Sequence, residues 1–173
     1  MKITIPLCSL LLLSSLLSLQ GQHDEHVHAY DHHFKHNEVA FGTGAVYMPE
    51  ESIWGYGIHL HLISGITEWM GAGLGYEMNF GDHTHYTFTG LFHFHPIHPL
   101  DINVGPGLVL PDKEHSGYRF NLHAEIAAVF ELSEHFHIGP SIDTGIGTQD
   151  LHVTLGIHAG WVFRWKSAPD SVQ

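Results

Sequence analysis

Among the pairs of histidines set two residues apart in the body of the chain are His59 and His61 in "GIHLHLI", His83 and His85 in "DHTH", and His93 and His95 in "FHFH". On an extended strand such a pair projects to one face, its rings about 7 Å apart along the chain. Neutral imidazole with carboxylate is the common ligand set for zinc, and it also suits copper, nickel or iron. At that spacing two rings share an ion only when a neighbouring strand supplies further ligands. One His-x-His therefore says little, and three say more. The other candidate ligands in the body are Glu77, Asp101, His123, Glu125, His137, His152 and His158.

Histidine is the compositional outlier, with 19 copies against 6 Lys plus Arg and 18 Asp plus Glu. Six of them (His23, His26, His28, His32, His33, His36) stand in "HDEHVHAYDHHFKH", a polar tract with no period of a strand or helix. It reads as a flexible arm that collects divalent metal with low specificity; drift in a tolerated disordered segment is the plain alternative. Metal held this way is lost as pH falls through about 6.5, where protons take the same nitrogens. The acidic balance speaks against nucleic acid, which needs clustered positive charge. Cys8 is the only cysteine, so no disulfide and no thiolate site is expected.

These residues must be positioned by the elements around them. The N-terminus, "MKITIPLCSLLLLSSLLSLQGQ", has the make-up of a secretory signal peptide, with cleavage expected near Gly21–Gln22. The division expected is signal peptide 1–21, His-rich arm 22–37, barrel domain 38–166 and a C-terminal tail 167–173. From Glu38 onward, eight runs of alternating residues are separated by turn-like clusters such as "PEES", "SGIT", "GDHT" and "GTQD". The runs are 38–48, 53–63, 68–80, 83–95, 100–110, 118–132, 135–146 and 151–165. One face of these runs is apolar, with Trp54, Tyr56, Leu60, Leu74, Phe88, Phe92, Phe120, Ile142 and Trp161 among its members. The other carries glycine, His59, His61, Glu77, His85, His93, His123, Glu125, Asp143, His152 and His158.

An eight-stranded barrel has an interior just wide enough for its side chains to fill. The glycine-rich polar face fits there, and eight strands' worth of Trp, Tyr, Phe and Leu does not. The expected fold is all-β: an eight-stranded antiparallel up-and-down transmembrane β-barrel with a polar, Gly/His-rich lumen and an apolar outer band. Strands of about 9–11 residues suffice to cross a bilayer. Cross-strand neighbourhoods then place Glu77 by His85, His93 by Asp101, Asn103 by Glu125, Glu131 by His137 and Glu125 by Asp143. One mouth gathers His61, His93, His95, Asp101, Glu131 and His137, and the middle His59, His123, Glu125, Asp143 and His158. The other mouth gathers Glu77, Asp82, His83, His85, Asp150 and His152.

The segments "GIHLHLI", "GAGLGYE", "DHTH", "HIGP" and "LHVTLGIHAGWVF" give the chain a resemblance to small eight-stranded outer-membrane barrels of the OmpA/OmpX type. More narrowly, it resembles small His-bearing outer-membrane barrels of Bacteroidota. The resemblance implies a Gram-negative outer membrane, a periplasmic N-terminal arm and an aromatic-rich last strand suited to barrel assembly. It supplies no function, and the short loops depart from an OmpX-like adhesive surface. "GAGLGYE" is not a dinucleotide fingerprint, since no G-x-G-x-x-G is present and no helix follows.

Three functions remain open at this stage. The first is a barrel that binds divalent transition metal through His/carboxylate clusters. The second is a structural or interaction barrel with a plugged polar lumen. The third is a lipid-modifying enzyme, for which Ser141 beside His158 and Asp143 is the one nucleophile arrangement available; no catalytic residue is assigned, and a non-enzyme is expected. Membrane lipid and metal ions are the expected partners, and no protein partner is legible.

Overall fold

The computed structural model describes residues 37–50, 52–81, 84–112, 116–147 and 151–163. The arm histidines from His23 to His36, the signal segment, Asp82, His83, Asp150, Arg164 and the C-terminal tail lie outside the described residues. The strands are β1 (Asn37–Met48), β2 (Ile53–Gly65), β3 (Met70–Phe80), β4 (Thr84–Ile97), β5 (Leu100–Val109), β6 (Arg119–Ala128), β7 (Phe130–Ser133), β8 (Phe136–Gly147) and β9 (Leu151–Phe163). Antiparallel pairing runs from β1 through β6, β9 pairs with β1, and β6 pairs with β8, which closes the sheet. β6 and β7 are two pieces of one stave, so the barrel has eight.

That broken stave departs from the continuous run expected over 118–132. β6 follows β5 as far as Ala128 opposite Leu100. The Val129 N–H then turns to the Pro99 carbonyl at 2.7 Å, and Phe130 and Glu131 pair with β8. β3 starts at Met70 rather than Glu68. The N–H groups of Ile66 and Thr67 both donate to the Met70 carbonyl at 2.9 Å, which closes the turn ahead of the strand.

Alternation decides which face meets which solvent. Trp54, Leu74 and Phe120 are 65%, 66% and 75% exposed on the outer wall. Inside, the largest fully buried side chains include His61, His93, His123, His158 and Glu125. This inversion of a soluble core is the arrangement a bilayer requires, with the closed ladder satisfying backbone groups that hydrocarbon cannot. The lumen is not wholly polar, however: Val46, Ile63, Leu91 and Val109 are also inward and buried.

Glycine makes room for the imidazoles. Gly42 lies opposite His59, and a Cβ there would sit 1.7 Å from His59 Nε2. Gly160 lies opposite His137, with a Cβ 2.1 Å from its Nε2. Elsewhere Gly75 faces His61, Gly71 faces His93, Gly105 faces His123, Gly145 faces His152 and Gly139 faces His158. Of these, the His61 and His152 rings lie in the space at Gly75 and Gly145, whereas Gly71, Gly105 and Gly139 lie against backbone of the neighbouring strand.

Candidate metal centre

Glu125, on β6, is fully buried at the middle of the lumen. Its Oε1 lies 3.2 Å from His59 Nε2 and 3.1 Å from His158 Nδ1. Its Oε2 lies 3.4 Å from His61 Nδ1 and accepts from Asn103 Nδ2 at 2.9 Å. The His59 and His61 rings stack with centroids 4.7 Å apart and planes 6° off parallel. Strand β2 thus sends its His-x-His pair across the lumen to a carboxylate on the opposite wall.

Two further carboxylate groups flank this centre. Toward the mouth where β1 begins, Glu38 Oε1 lies 3.4 Å from His137 Nε2 and 3.6 Å from His158 Nε2. Toward the mouth where β1 ends, Glu77 Oε1 lies 2.8 Å from His152 Nε2 and accepts from Asn79 Nδ2 at 2.7 Å. Asp143 joins that side, its Oδ2 3.4 Å from His59 Nδ1 and 3.7 Å from His123 Nε2, its Oδ1 3.8 Å from His152 Nε2. Three sets of ligand atoms lie within 4.8 Å of one another: His59/His61/Glu125/His158, Glu38/His137/His158 and Glu77/Asp143/His152.

The charge balance of this lumen is unusual. Glu38, Glu77, Glu125 and Asp143 are all at most 4% exposed. Among the described residues the one Lys or Arg is Arg119, and it pairs with Asp112 at 2.9 Å near the β5–β6 loop. Among the described residues the four central carboxylates thus meet imidazoles and the amides of Asn79 and Asn103, and no cationic Lys or Arg. Buried carboxylates need compensating positive charge, since removing one from water without it costs several kcal/mol. Several of the facing atoms also make no hydrogen bond, among them Glu38 Oε1, His59 Nε2, His61 Nδ1, both His123 nitrogens and both Asp143 oxygens. Lone pairs converging at these distances without hydrogen-bond geometry suit a cation between them.

Several expected neighbourhoods move. His61 belongs to the central group rather than to a mouth. Glu77 faces Thr87 and binds His152, while His85 faces Asn79 and lies 3.3 Å from Asp112. His93 hydrogen-bonds Asn103 at 2.9 Å, and Asp101 instead hydrogen-bonds His95. None of His85, His93, His95 and Asp101 belongs to the three sets, although Asn103 joins His93 to Glu125. Glu131 is opposite His137 as expected, but its side chain is exposed rather than luminal. Asn103–Glu125 and Glu125–Asp143 fall in register as expected. Ser141 is inward, but its cross-strand partners are Ala127 and Gly156, so no imidazole lies directly opposite. Glu38 was not singled out from sequence; its signal is parity with the inward Gly42 and Gly44 on β1.

A closed eight-stranded barrel, apolar outside and polar within, is the fold of small outer-membrane barrels. A solved structure shares this fold, and others are similar to it at lower scores. Neisserial surface protein A matches with a TM-score of 0.51 at 9% identity, over 74% of this chain and 96% of that one. Ail, the attachment invasion locus protein of Yersinia pestis, gives 0.49 at 14% identity, over 74% and 97%. A de novo designed transmembrane β-barrel gives 0.47 at 12% identity, over 73% and 95%. No protein-family model and no curated protein matches the chain.

Proposed function

We propose that this protein sits in the outer membrane of a Gram-negative bacterium and binds divalent transition metal (zinc, copper, nickel or iron) inside its lumen. The observation that carries this reading is the set of four buried carboxylates whose ionisable partners are imidazoles, the one described arginine, Arg119, being paired with Asp112. The ligands with the strongest claim are His59, His61, Glu125 and His158, flanked by Glu38 with His137 and by Glu77 with Asp143 and His152. His23, His26, His28, His32, His33 and His36 would gather ions on the periplasmic side, since the chain enters the barrel at the mouth holding Glu38 and His137.

The competing reading is a plugged structural barrel whose lumen is a hydrogen-bonded polar network. The His93–Asn103 and His95–Asp101 pairs favour it, because each is a complete hydrogen bond with no need of an ion. Equilibrium dialysis of refolded protein against zinc, with metal analysis of the protein fraction, separates the two. Stoichiometric binding that is weakened by His59→Ala and His158→Ala is expected. Binding no tighter than to a refolded barrel without luminal histidines would overturn the metal reading.

A further inference from the structure

The three ligand sets stand in series between the mouths, and the rings between them face both ways. Glu38 and His137 are each the second residue of their strands at one mouth, and His152 is the second residue of β9 at the other. Between them His158 turns Nε2 to Glu38 at 3.6 Å and Nδ1 to Glu125 at 3.1 Å. His59 turns Nε2 to Glu125 at 3.2 Å and Nδ1 to Asp143 at 3.4 Å. Asp143 then reaches His152 at 3.8 Å. A neutral imidazole carries one N–H and one lone pair. A ring between two sets therefore serves a cation on one side at a time, according to its tautomer.

Charge fixes how many ions such a row holds. With the imidazoles neutral, the four carboxylates of these sets are neutralised by two divalent cations, and there are three sets to hold them. One set therefore stands open for the neighbouring ion, and the shared ring can follow that ion across. We infer that the lumen passes divalent transition-metal ions from mouth to mouth by hand-over along Glu38/His137, His158, Glu125/His61, His59 and Asp143/Glu77/His152. This rests on the metal-binding reading above. It requires no open pore: Glu125, Asp143, His61 and His158 are at most 1% exposed, and Ile63 and Leu91 are buried on the same inner face. Passage then belongs to ions that exchange water for imidazole. Magnesium, which prefers oxygen and dehydrates reluctantly, is excluded.

The test uses the refolded full chain in phospholipid vesicles loaded with a zinc-sensitive fluorophore, with potassium and valinomycin holding the membrane potential. Zinc is expected to enter faster than into protein-free vesicles, while magnesium, read with its own indicator, does not enter. His158→Ala is expected to return zinc entry to the protein-free rate while the protein keeps one bound zinc at Glu77, Asp143 and His152. His59→Asn is the second variant, with the same loss of entry. Two bound zinc ions with entry no faster than in protein-free vesicles would overturn the hand-over and leave the binding site standing. Entry of magnesium as fast as zinc would overturn it in favour of an open pore. Absence of bound zinc in the wild-type chain would remove the binding reading and the hand-over with it.

Discussion

Replacing Glu125 with glutamine separates a metal ligand from a network carboxylate, because the two roles give opposite signs. The substitution keeps the side chain's shape and its reach to His59, His61, His158 and Asn103, all within 3.4 Å. It removes only the charge. A structural site worth about 10–16 kcal/mol, shared over four ligands, assigns about 2.5–4 kcal/mol to one, on the order of 100- to 1000-fold in Kd. Without metal, removing a buried charge that lacks a permanent cation relieves a desolvation cost. The expected pattern is a urea midpoint in metal-free Glu125→Gln equal to or above that of wild type. Zinc at about 100 times the wild-type Kd stabilises the wild type by about 2.7 kcal/mol, and this gain is lost in the variant. Unfolding followed by tryptophan fluorescence in lipid vesicles, with and without zinc, reads both. A variant that is weaker without metal yet keeps the zinc gain would exclude Glu125 as a ligand and make it the partner of charged imidazoles.

Other outcomes follow from particular contacts. Gly42→Ala drives a Cβ into the His59 ring and is expected to cost about 1–3 kcal/mol in the same assay. It should also weaken zinc binding as His59→Ala does, whereas Gly90→Ala, with nothing within 4 Å of its Cβ position, leaves zinc binding unchanged. Leu74→Lys places a charge on the lipid face at mid-strand and is expected to cost about 2–4 kcal/mol in vesicles. Arg119→Ala removes the guanidinium from Asp112, which also lies 3.3 Å from His85; a loss of about 3 kcal/mol with unchanged zinc stoichiometry is expected.

The barrel was legible because strand alternation has a period of two and the two faces differ sharply in character. Parity alone put His59, His61, Glu125 and His158 inside. Register was less legible. β4 runs on to Ile97, which pairs with Leu100, so the hairpin is tighter than a four-residue "PIHP" turn, and His93 falls opposite Asn103 instead of Asp101. Contacts across the lumen were beyond reach, because no hairpin couples β2 to β6 or β8. Hence His61 was assigned to a mouth, and the meeting of β2 histidines with Glu125 and Asp143 emerged only from the closed barrel. Glu38 was missed for a related reason. β1 meets β9 across the closure, where loop length says nothing about pairing.

On the reading proposed above, the lumen and not the histidine-rich arm is the metal site. The direct measurement is zinc stoichiometry and affinity of the refolded chain in which His23, His26, His28, His32, His33 and His36 are all replaced by serine. Tight stoichiometric binding that survives these replacements is expected, and it should be lost on the further change Glu125→Gln with His158→Ala. Binding that disappears with the arm histidines would contradict the claim, leaving metal handling to the arm and the lumen as a structural network.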